Sequence, residues 1–460
     1  MFSLRGRASV SDRRYHRDVA VVADRTTLAK LATTGGLALF AVALLALTAW
    51  QYAMPSALPS TWGVNSSAVA DFRQALAIPI HAVGIASFRW TFRLLLVATW
   101  AGYVLMLVGI AAGARLGRAA VWASAVTAAL VLTVLWPASL SIDTYGYVAY
   151  GRQVVHGLNP YVATPGALAG VSDPNAHFTI LRSPYGPLWT WMCAACVALS
   201  PGAATWAPVV LLKLLAAGAT IAIAWTGRAL AAHLQPDHGE LTLAALALNP
   251  LLLIEGAGNG HNDLVMLLPV LWALLAVARG RALHAGLAVG VAAAIKFLPL
   301  LLLPWIAARA WRSPTLAPRR RAAAVVAVFA AGLLPSVVAF APLWHGAATL
   351  RGIRDRWALG QSLAGSDGGG LAPNIILLAI YVCASGWVLA RPDVLRMTSG
   401  WLVVAGAVLA LATGIWFPWY FAWILAVSLC RWDRKHVVVS CTVAAIAILF
   451  TFRYLVVPGG

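Results

Sequence analysis

The chain has 460 residues, of which 61% are hydrophobic and only 10% are charged, and its formal net charge is +19. A soluble globular protein carries about 25% charged residues, so this composition excludes a soluble enzyme, a disordered chain and a nucleic-acid-binding domain as the main interpretation. Apolar segments recur over nearly the whole length, which is typical of a polytopic membrane protein.

Residues 1–32 are polar and basic, and we expect them to form a cytoplasmic tail before a single transmembrane domain over residues 33–456. Eight apolar runs are long enough, or nearly long enough, to cross a bilayer. They fall at about 33–52, 93–113, 119–139, 204–226, 321–342, 373–390, 397–415 and 437–456. Shorter runs, broken by Pro, Gly or polar residues, fall near 186–200, 241–256, 261–278, 283–295, 297–310 and 417–430. All are predicted to be helices, because a backbone amide in lipid needs a partner within its own segment.

The charges of the loops predict the topology. With the N-terminus inside, the tail and the cytoplasmic loops contain 22 of the 33 Lys and Arg residues. The external loops, at about 53–92, 140–185 and 343–372, and the C-terminal end contain eight Lys and Arg residues in total. This asymmetry obeys the positive-inside rule. This arrangement requires the run 186–200 to lie at the membrane surface or to dip partway in. The prediction is an all-α membrane protein with about 13 transmembrane helices, some of them broken or re-entrant.

The external loop 140–185 is rich in Tyr, Asn, His, Arg and Pro. Asp143 follows directly after a predicted membrane helix, and on a short helix Asp143, Tyr147 and Tyr150 would share one face. A carboxylate flanked by tyrosines suits the recognition of a sugar, whose C–H faces pack on the rings and whose hydroxyls bond the phenols. An acid that anchors a helix end at the membrane interface explains the same spacing, and spacing alone does not decide between the two.

A second polar cluster separates two of the short apolar runs. It follows Asn249 and Pro250 and contains Glu255, Asn259, His261, Asn262 and Asp263. Polar side chains are costly in lipid, so we expect them to line a cavity, as broken helices do in membrane proteins that handle polar substrates. Lys296 interrupts a further run, where it pairs with an acid, meets an anion such as a phosphate headgroup, or extends to the interface.

Two other segments leave alternatives open. Residues 343–372 contain Arg351, Arg354 and Arg356 around Asp355, which indicates either a contact for a lipid phosphate or an amphipathic helix lying on headgroups. Trp416, Trp419 and Tyr420 surround Pro418 and are interpreted as an interfacial aromatic belt, with a stacking site as the alternative.

Cys193 and Cys196 have redox or zinc spacing but lie in an apolar run without a second pair, so they are interpreted as small buried hydrophobes. The sequence has no Walker A motif, dinucleotide fingerprint, HExxH or GxSxG motif. It also has no Asp-x-Asp pair. We therefore expect neither a metal nor a cofactor.

Several motifs taken together are familiar as a set. They are Asp143…Tyr147…Tyr150-Gly151-Arg152…Asn159-Pro160-Tyr161, Ser183-Pro184-Tyr185-Gly186-Pro187, Asn249-Pro250…Gly260-His261-Asn262-Asp263 and Lys296-x-x-Pro299. The set resembles the polyprenol-phosphomannose-dependent α-(1→6)-mannosyltransferases of actinobacteria, which are membrane glycosyltransferases of the C-type fold. The resemblance covers about residues 35–430.

The resemblance implies a sugar donor, mannose in this family, on polyprenyl phosphate, a glycolipid or mannan-type acceptor, and an inverting transfer at the outer face without a nucleotide. Asp143 matches the loop carboxylate expected to be the general base. The implied substrate-binding residues are Tyr147, Tyr150, Arg152, Asn159, Tyr161, Arg182, Tyr185, Asn259, His261, Asn262, Asp263 and Lys296, with Arg152, Arg182 or Lys296 opposite the donor phosphate.

A transporter or flippase of lipid-linked sugars is the alternative from another class. Broken helices and an intramembrane lysine suit it. The hydropathy pattern shows no inverted repeat, however, and the polar signals concentrate on one side of the membrane rather than at its midplane. A non-catalytic assembly role is the third and weakest hypothesis.

Overall fold

A computed structural model of the chain describes residues 10–55, 66–168, 181–200, 205–314, 317–363, 371–412 and 416–454. All regular secondary structure within these ranges is helical. The α-helices are α1 Val10–Trp50, α2 Ser66–Ala75, α3 Ile85–Ala111, α4 Arg118–Leu135, α5 Asp143–Val155, α6 Pro187–Ala198, α7 Trp206–Leu234, α8 Gly239–Ala247, α9 Pro250–Leu253, α10 Asn262–Ala278, α11 Ala282–Ile295, α12 Leu303–Trp311, α13 Pro318–Phe340, α14 Ala347–Leu363, α15 Leu371–Ala390, α16 Val394–Leu411, α17 Ala422–Ser428 and α18 Arg434–Tyr454.

Within the described residues, each predicted apolar run corresponds to a helix or a helix pair. In the described part of the chain, eight helices are long and apolar enough to span a membrane, and a ninth candidate is the bent pair Pro236–Ala247 and Pro250–Gly258, whose halves meet at 47°. The remaining short runs match the apolar helices Pro187–Ala198, Asn262–Ala278, Ala282–Ile295, Leu298–Trp311 and Pro418–Ser428. The prediction of an all-α polytopic membrane protein is confirmed, and the number of 13 crossings stays a prediction.

Two boundaries lie elsewhere than the hydropathy pattern suggests. Helix α1 begins at Val10, so the predicted boundary between tail and membrane domain at residue 32 falls inside a continuous helix, of which the apolar span starts at Arg25. Helix α3 begins at Ile85, within the predicted loop 53–92. Hydropathy marks the stretch that tolerates lipid, whereas a helix continues for as long as its backbone hydrogen bonds do. The first nine residues of the predicted tail lie outside the described residues.

Helices α1 and α3 approach each other closely at two glycines. A Cβ atom added to Gly36 would lie 2.4 Å from the backbone nitrogen of Met106, and one added to Gly102 would lie 2.4 Å from that of Phe40. In lipid, where burial of apolar surface between helices gains little, small residues let two backbones approach and pack. Larger residues at these two positions would therefore separate the helices.

Ion pairs and polar contacts identify two opposite ends of the bundle. At one end, Glu240 accepts from Arg118 and Arg228, each at 2.8 Å, so the start of α4, the end of α7 and the start of α8 lie together. At the other end, α5 begins at Asp143, and the backbone nitrogen of Gly186 donates to the carbonyl of Ile295. Helix α6 starts there and packs along α5. The start of the run 186–200 therefore lies at the same end of the bundle as Asp143, and its not being a separate crossing stays a prediction.

The structure contains the predicted helix break between residues 249 and 263. Pro250 cannot donate to the helix ladder, and the side chain of Asn249 instead accepts from the backbone nitrogens of Leu251 and Leu252 at 3.1 and 3.2 Å. A π-turn at Ile254–Gly258 follows, and Gly260, at a φ of 72°, redirects the chain into α10. The polar residues of the break are thereby brought to the end of the bundle that carries Asp143.

Candidate functional site

Two carboxylates flank one histidine at this end, and a third carboxylate lies two residues after the histidine in the chain. Asp143 is the first residue of α5, Asp263 lies in the first turn of α10 and Glu255 lies in the π-turn. His261 Nδ1 is 3.9 Å from Asp143 Oδ2, and His261 Nε2 is 3.3 Å from Glu255 Oε2. The starts of α5 and α10 carry partial positive charge, which favours the carboxylates of Asp143 and Asp263.

Tyrosines from two segments pack around Asp143. The phenol of Tyr185 donates to Asp143 Oδ2 at 3.3 Å, and the phenol of Tyr147 donates to Asn262 Oδ1 at 3.3 Å. The ring of Tyr185 contacts those of Tyr147 and Tyr150 edge to face, with centroids 5.0 and 6.2 Å apart. The predicted helical face shared by Asp143, Tyr147 and Tyr150 is therefore present, with Tyr185 as the common neighbour.

Both phenols at the centre stay protonated. Burial raises the pKa of Tyr147 and of Tyr185 well above the ordinary value near 10, and the negative charge of Asp143 raises both pKa values further. Tyr185 is thus a fixed hydrogen-bond donor toward the Asp143 carboxylate at any physiological pH.

Lys296 and Asp263 form a direct ion pair. Lys296 Nζ lies 2.7 Å from Asp263 Oδ1, which also accepts from the indole of Trp423 at 2.6 Å. The ammonium group also lies 4.9 Å from the ring centre of Tyr420 and 5.1 Å from that of Trp423. Of the alternatives for this lysine, pairing with an acid is the one that the structure contains.

The aromatic segment around Pro418 belongs to the site, which the belt interpretation did not foresee. Trp419 is 1% exposed and stacks on His261 with ring centres 3.9 Å apart. The belt interpretation is therefore wrong for Trp419, where the alternative, a stacking site, applies. Trp416 is 37% exposed, as an interfacial residue would be. The signal that could have found the site is the density of aromatic residues in the short run 417–430, where Trp423 follows Trp419 by one helical turn.

A network of buried groups holds the break in position. Asn259 donates to Glu255 Oε2 at 2.9 Å and accepts from the indole of Trp136 at 3.0 Å. Its backbone carbonyl accepts from the hydroxyl of Thr144. Lys213, a lysine inside α7 that the sequence analysis did not single out, is fully buried and donates to the carbonyls of Leu132 and Trp136. These contacts join α4, α5 and α7 to the polar loop.

A neighbouring cluster connects the loop 140–185 to α14. Asn159 donates to the carbonyl of Leu343 at 2.6 Å, and Arg182 lies 3.5 Å from Asp355 in α14. The phenol of Tyr161 donates to the carbonyl of Tyr185 at 2.9 Å, which links this cluster to the centre of the site. The side chain of Arg356 lies outside the described residues.

Arg152 stands apart from the other candidates. It lies nine residues after Asp143 in α5, which corresponds to about 13 Å along the helix. Its guanidinium donates to the hydroxyl of Thr205 at 3.1 Å. Tyr150 lies between the two clusters, because its phenol donates to the carbonyl of Arg182 at 3.2 Å.

Exposure separates the groups that a substrate can reach from those that support them. The side chains of Asn259, His261, Asn262 and Asp263 are completely buried. Asp143 and Lys296 keep 17% and 19% of their side-chain surface exposed. A ligand that enters this end of the bundle therefore meets Asp143 and Lys296 ahead of the buried network.

Fold and site together define a polytopic helical membrane protein with a carboxylate-centred polar site at one end of its bundle. Residues 32–312 match the family described as alpha-(1→6)-mannopyranosyltransferase, N-terminal domain. This match covers more than half of the chain, and the chain belongs to that family.

One curated relative is alpha-(1→6)-mannopyranosyltransferase A of Mycobacterium tuberculosis, which is 27% identical over 341 residues. The aligned region is 64% of this chain and 64% of the relative, so the chain spans less than two thirds of the length of that relative. By name, both the family and this relative are mannosyltransferases, a class of glycosyltransferase. No solved structure matches the chain.

Proposed function

We propose that the protein is an integral membrane mannosyltransferase that moves mannose from polyprenyl phosphate to a glycolipid or mannan-type acceptor at the outer face of the membrane. Membership of the mannosyltransferase family supports the reaction class. The observation that carries the proposal is the placement of Asp143, a partly exposed carboxylate oriented by a protonated phenol at the mouth of a polar site.

Asp143 is the best candidate for the general base among the three carboxylates. A general base must come within about 3 Å of the hydroxyl that it deprotonates. Asp263 is fully buried and is already bound to Lys296 and Trp423. Glu255 is 2% exposed and contacts the side chains of His261 and Asn259. Asp143 retains the exposure that contact with an acceptor requires.

The proposed step is a single displacement. Asp143 accepts the proton of the acceptor hydroxyl. At the same time, the oxygen of that hydroxyl forms a bond to the anomeric carbon of the mannose. The bond from that carbon to the phosphate oxygen breaks, and polyprenyl phosphate leaves with the electron pair. The configuration inverts by the same logic as in inverting hydrolysis. An inverting enzyme that makes an α-linkage takes a β-linked donor, so the donor is β-linked.

Lys296 is the cation best positioned to face the leaving phosphate. It is partly exposed, lies next to the residues around Asp143, and has ammonium hydrogens beyond the one that meets Asp263. Charge-assisted hydrogen bonds to a phosphate whose charge grows during the reaction stabilise the transition state. Arg182 is the second candidate, and Arg152 is disfavoured because it lies about 13 Å along α5.

The distribution of charge supports an extracytoplasmic site. The end of the bundle that holds Arg118, Arg228 and Glu240 is the end to which the positive-inside rule assigns the cytoplasm. Asp143 lies at the opposite end. A lipid-linked donor then has its phosphate at the outer surface and its polyprenyl tail beside the helices.

The direct test incubates the purified protein with β-mannosyl polyprenyl phosphate and a short α-(1→6)-mannan acceptor, without nucleotide. We expect release of polyprenyl phosphate and one equivalent of new α-linked mannose, read by mass spectrometry and anomeric NMR. Movement of the intact lipid-linked sugar across liposomes without bond cleavage would contradict the proposal and support a flippase.

A further inference from the structure

A second cavity lies at the end of the bundle opposite Asp143. It has a volume of about 540 Å³ and is lined by Arg396, Arg431, Arg434, Lys435 and His436. The apolar helical segment Pro418–Ser428 separates the two regions. Trp419 near its start stacks in the candidate site, and Arg431 follows its end, about 18 Å further along. We call this second region the basic groove.

The basic groove carries an excess of positive charge. Its single carboxylate, Asp433, forms an ion pair with Arg431 at 2.8 Å and accepts a hydrogen bond from His436 Nδ1 at 2.8 Å. Arg434 and Lys435 are exposed, and their side chains make no ion pair or hydrogen bond with the residues that the structure describes. Four cations therefore face one carboxylate, which leaves the groove at about +3 with His436 neutral.

His436 provides a second, independent sign of a ligand. Its side chain is 6% exposed and lines the groove, and its Nε2 atom has no hydrogen-bond partner in the described part of the chain. A buried polar atom without a partner costs free energy. Because Nδ1 of the neutral ring donates to Asp433, Nε2 is a hydrogen-bond acceptor, and a hydroxyl of a lipid headgroup in the groove would provide the donor that it lacks.

The wall of the groove is apolar where it meets the membrane region. Trp387 in α15 and Leu395 in α16 line it and are 47% and 44% exposed. Both helices, and α18 next to them, are candidate membrane spans. Basic residues at cytoplasmic helix ends ordinarily mark topology alone. Here they converge on one cavity with an apolar wall, which matches an amphiphile better than it matches a free ion.

We propose that the basic groove binds the phosphate headgroup of an anionic phospholipid, with the acyl chains lying along Trp387 and Leu395. Its volume is within the range of small-ligand sites. Basic pockets between helices on the cytoplasmic side recognise such headgroups, because clustered Lys and Arg attract lipid phosphate near the low-dielectric membrane. The lipid would tie α15, α16 and α18 together at the end remote from the candidate site.

The test measures binding of a fluorescent phosphatidylglycerol to the purified full chain in neutral detergent micelles. The variant is Arg434→Gln/Lys435→Gln. The matched control is Arg319→Gln/Arg320→Gln, which removes two exposed charges from the start of α13 at the same end of the bundle. Unlabelled phosphatidylglycerol, phosphatidylcholine and inorganic phosphate serve as competitors.

We expect binding about 10- to 30-fold weaker in Arg434→Gln/Lys435→Gln and unchanged in the control, with displacement by phosphatidylglycerol but not by phosphatidylcholine or inorganic phosphate. Equal losses in both double variants, or no loss in the first, would overturn the proposal. Displacement by inorganic phosphate as effective as by phosphatidylglycerol would overturn it in favour of a small-anion site. If the double variant does not fold, Arg434→Gln against Arg319→Gln gives the same comparison.

Discussion

Lys296 and Asp263 are 33 residues apart in the chain, yet Lys296 Nζ and Asp263 Oδ1 lie 2.7 Å from each other at the centre of the candidate site. The pair joins the start of α10 to the residue that follows the end of α11. Asp263 is completely buried, so its charge is compensated by Lys296 and by the indole of Trp423 rather than by water. Removing one partner leaves the other without compensation.

This dependence predicts the outcome of a double-mutant cycle. Lys296→Met should destabilise the protein by about 3–5 kcal/mol, because it leaves a buried carboxylate unpaired. Adding Asp263→Asn should restore most of that loss, since an amide has no charge to compensate. Unfolding in detergent measures all three variants, with Lys30→Met as the control for loss of an exposed lysine. Additive losses in the double variant would show that the two charges are not coupled.

The sequence was sufficient for most of the helices because hydropathy is a local property. A run such as 93–113 can enter the membrane whatever its neighbours are, so its composition alone predicts the span. The start of α3 at Ile85 was not predictable in this way, because Arg89 and Arg93 lower the hydropathy of a segment that is nevertheless helical. Pro250 likewise indicated the break between α8 and α9, and Gly260 the break before α10, because the effect of each residue on the backbone is local.

The composition of the site was predictable only in part, because it depends on contacts between distant segments. Asp143, Tyr147 and Tyr150 share a face that helical spacing reveals. Nothing in the sequence around Trp423 indicates that it meets Asp263, 160 residues earlier. Aromatic residues near a proline at a membrane boundary are equally typical of an interfacial belt, and only the packing of α17 against α10 distinguishes the two.

Asp143→Asn tests the proposed general base. The amide keeps the shape of the side chain and still accepts from Tyr185, but it cannot take a proton. Transfer should fall by about 10²–10⁴-fold, with folding and insertion preserved. The measurement is kcat in the purified transfer assay, with Asp355→Asn, an exposed acid of the neighbouring cluster, as the matched control. Activity of Asp143→Asn within a few-fold of wild type would contradict the assignment.

Tyr185→Phe tests the donor to Asp143. Because the pKa of Tyr185 is raised well above 10, the phenol stays protonated and its contribution should not titrate. The variant should lose about tenfold in transfer rate, as expected for one hydrogen bond to a charged group. The ratio of wild-type to variant rates should stay constant between about pH 7 and pH 10.

The control for this prediction is Tyr150→Phe, whose phenol donates to a backbone carbonyl instead. It should lose much less activity than Tyr185→Phe, because its partner carries no charge. A ratio that falls steadily toward 1 as the pH rises to about 10 would mean that Tyr185 ionises in this range and is not the fixed donor proposed here.

Gly352 fixes the position of α14 over the loop 140–185. A Cβ atom at this position would lie 1.7 Å from the carbonyl oxygen of Tyr161. The obstacle is backbone, so Gly352→Ala must move either α14 or the segment that carries Tyr161. Such overpacking costs about 1–3 kcal/mol, which should appear as a lower thermal midpoint in detergent.

The matched control is Gly386→Ala in α15, where an added Cβ atom meets nothing within 4 Å. That substitution should stabilise the protein by up to about 1 kcal/mol, because alanine has the higher helix propensity. The two Gly→Ala changes should therefore have opposite signs. If Gly352→Ala also stabilises the protein, α14 does not pack against the carbonyl of Tyr161. The series of contacts from α14 through Tyr161 and Tyr185 to Asp143 would then lack its first contact.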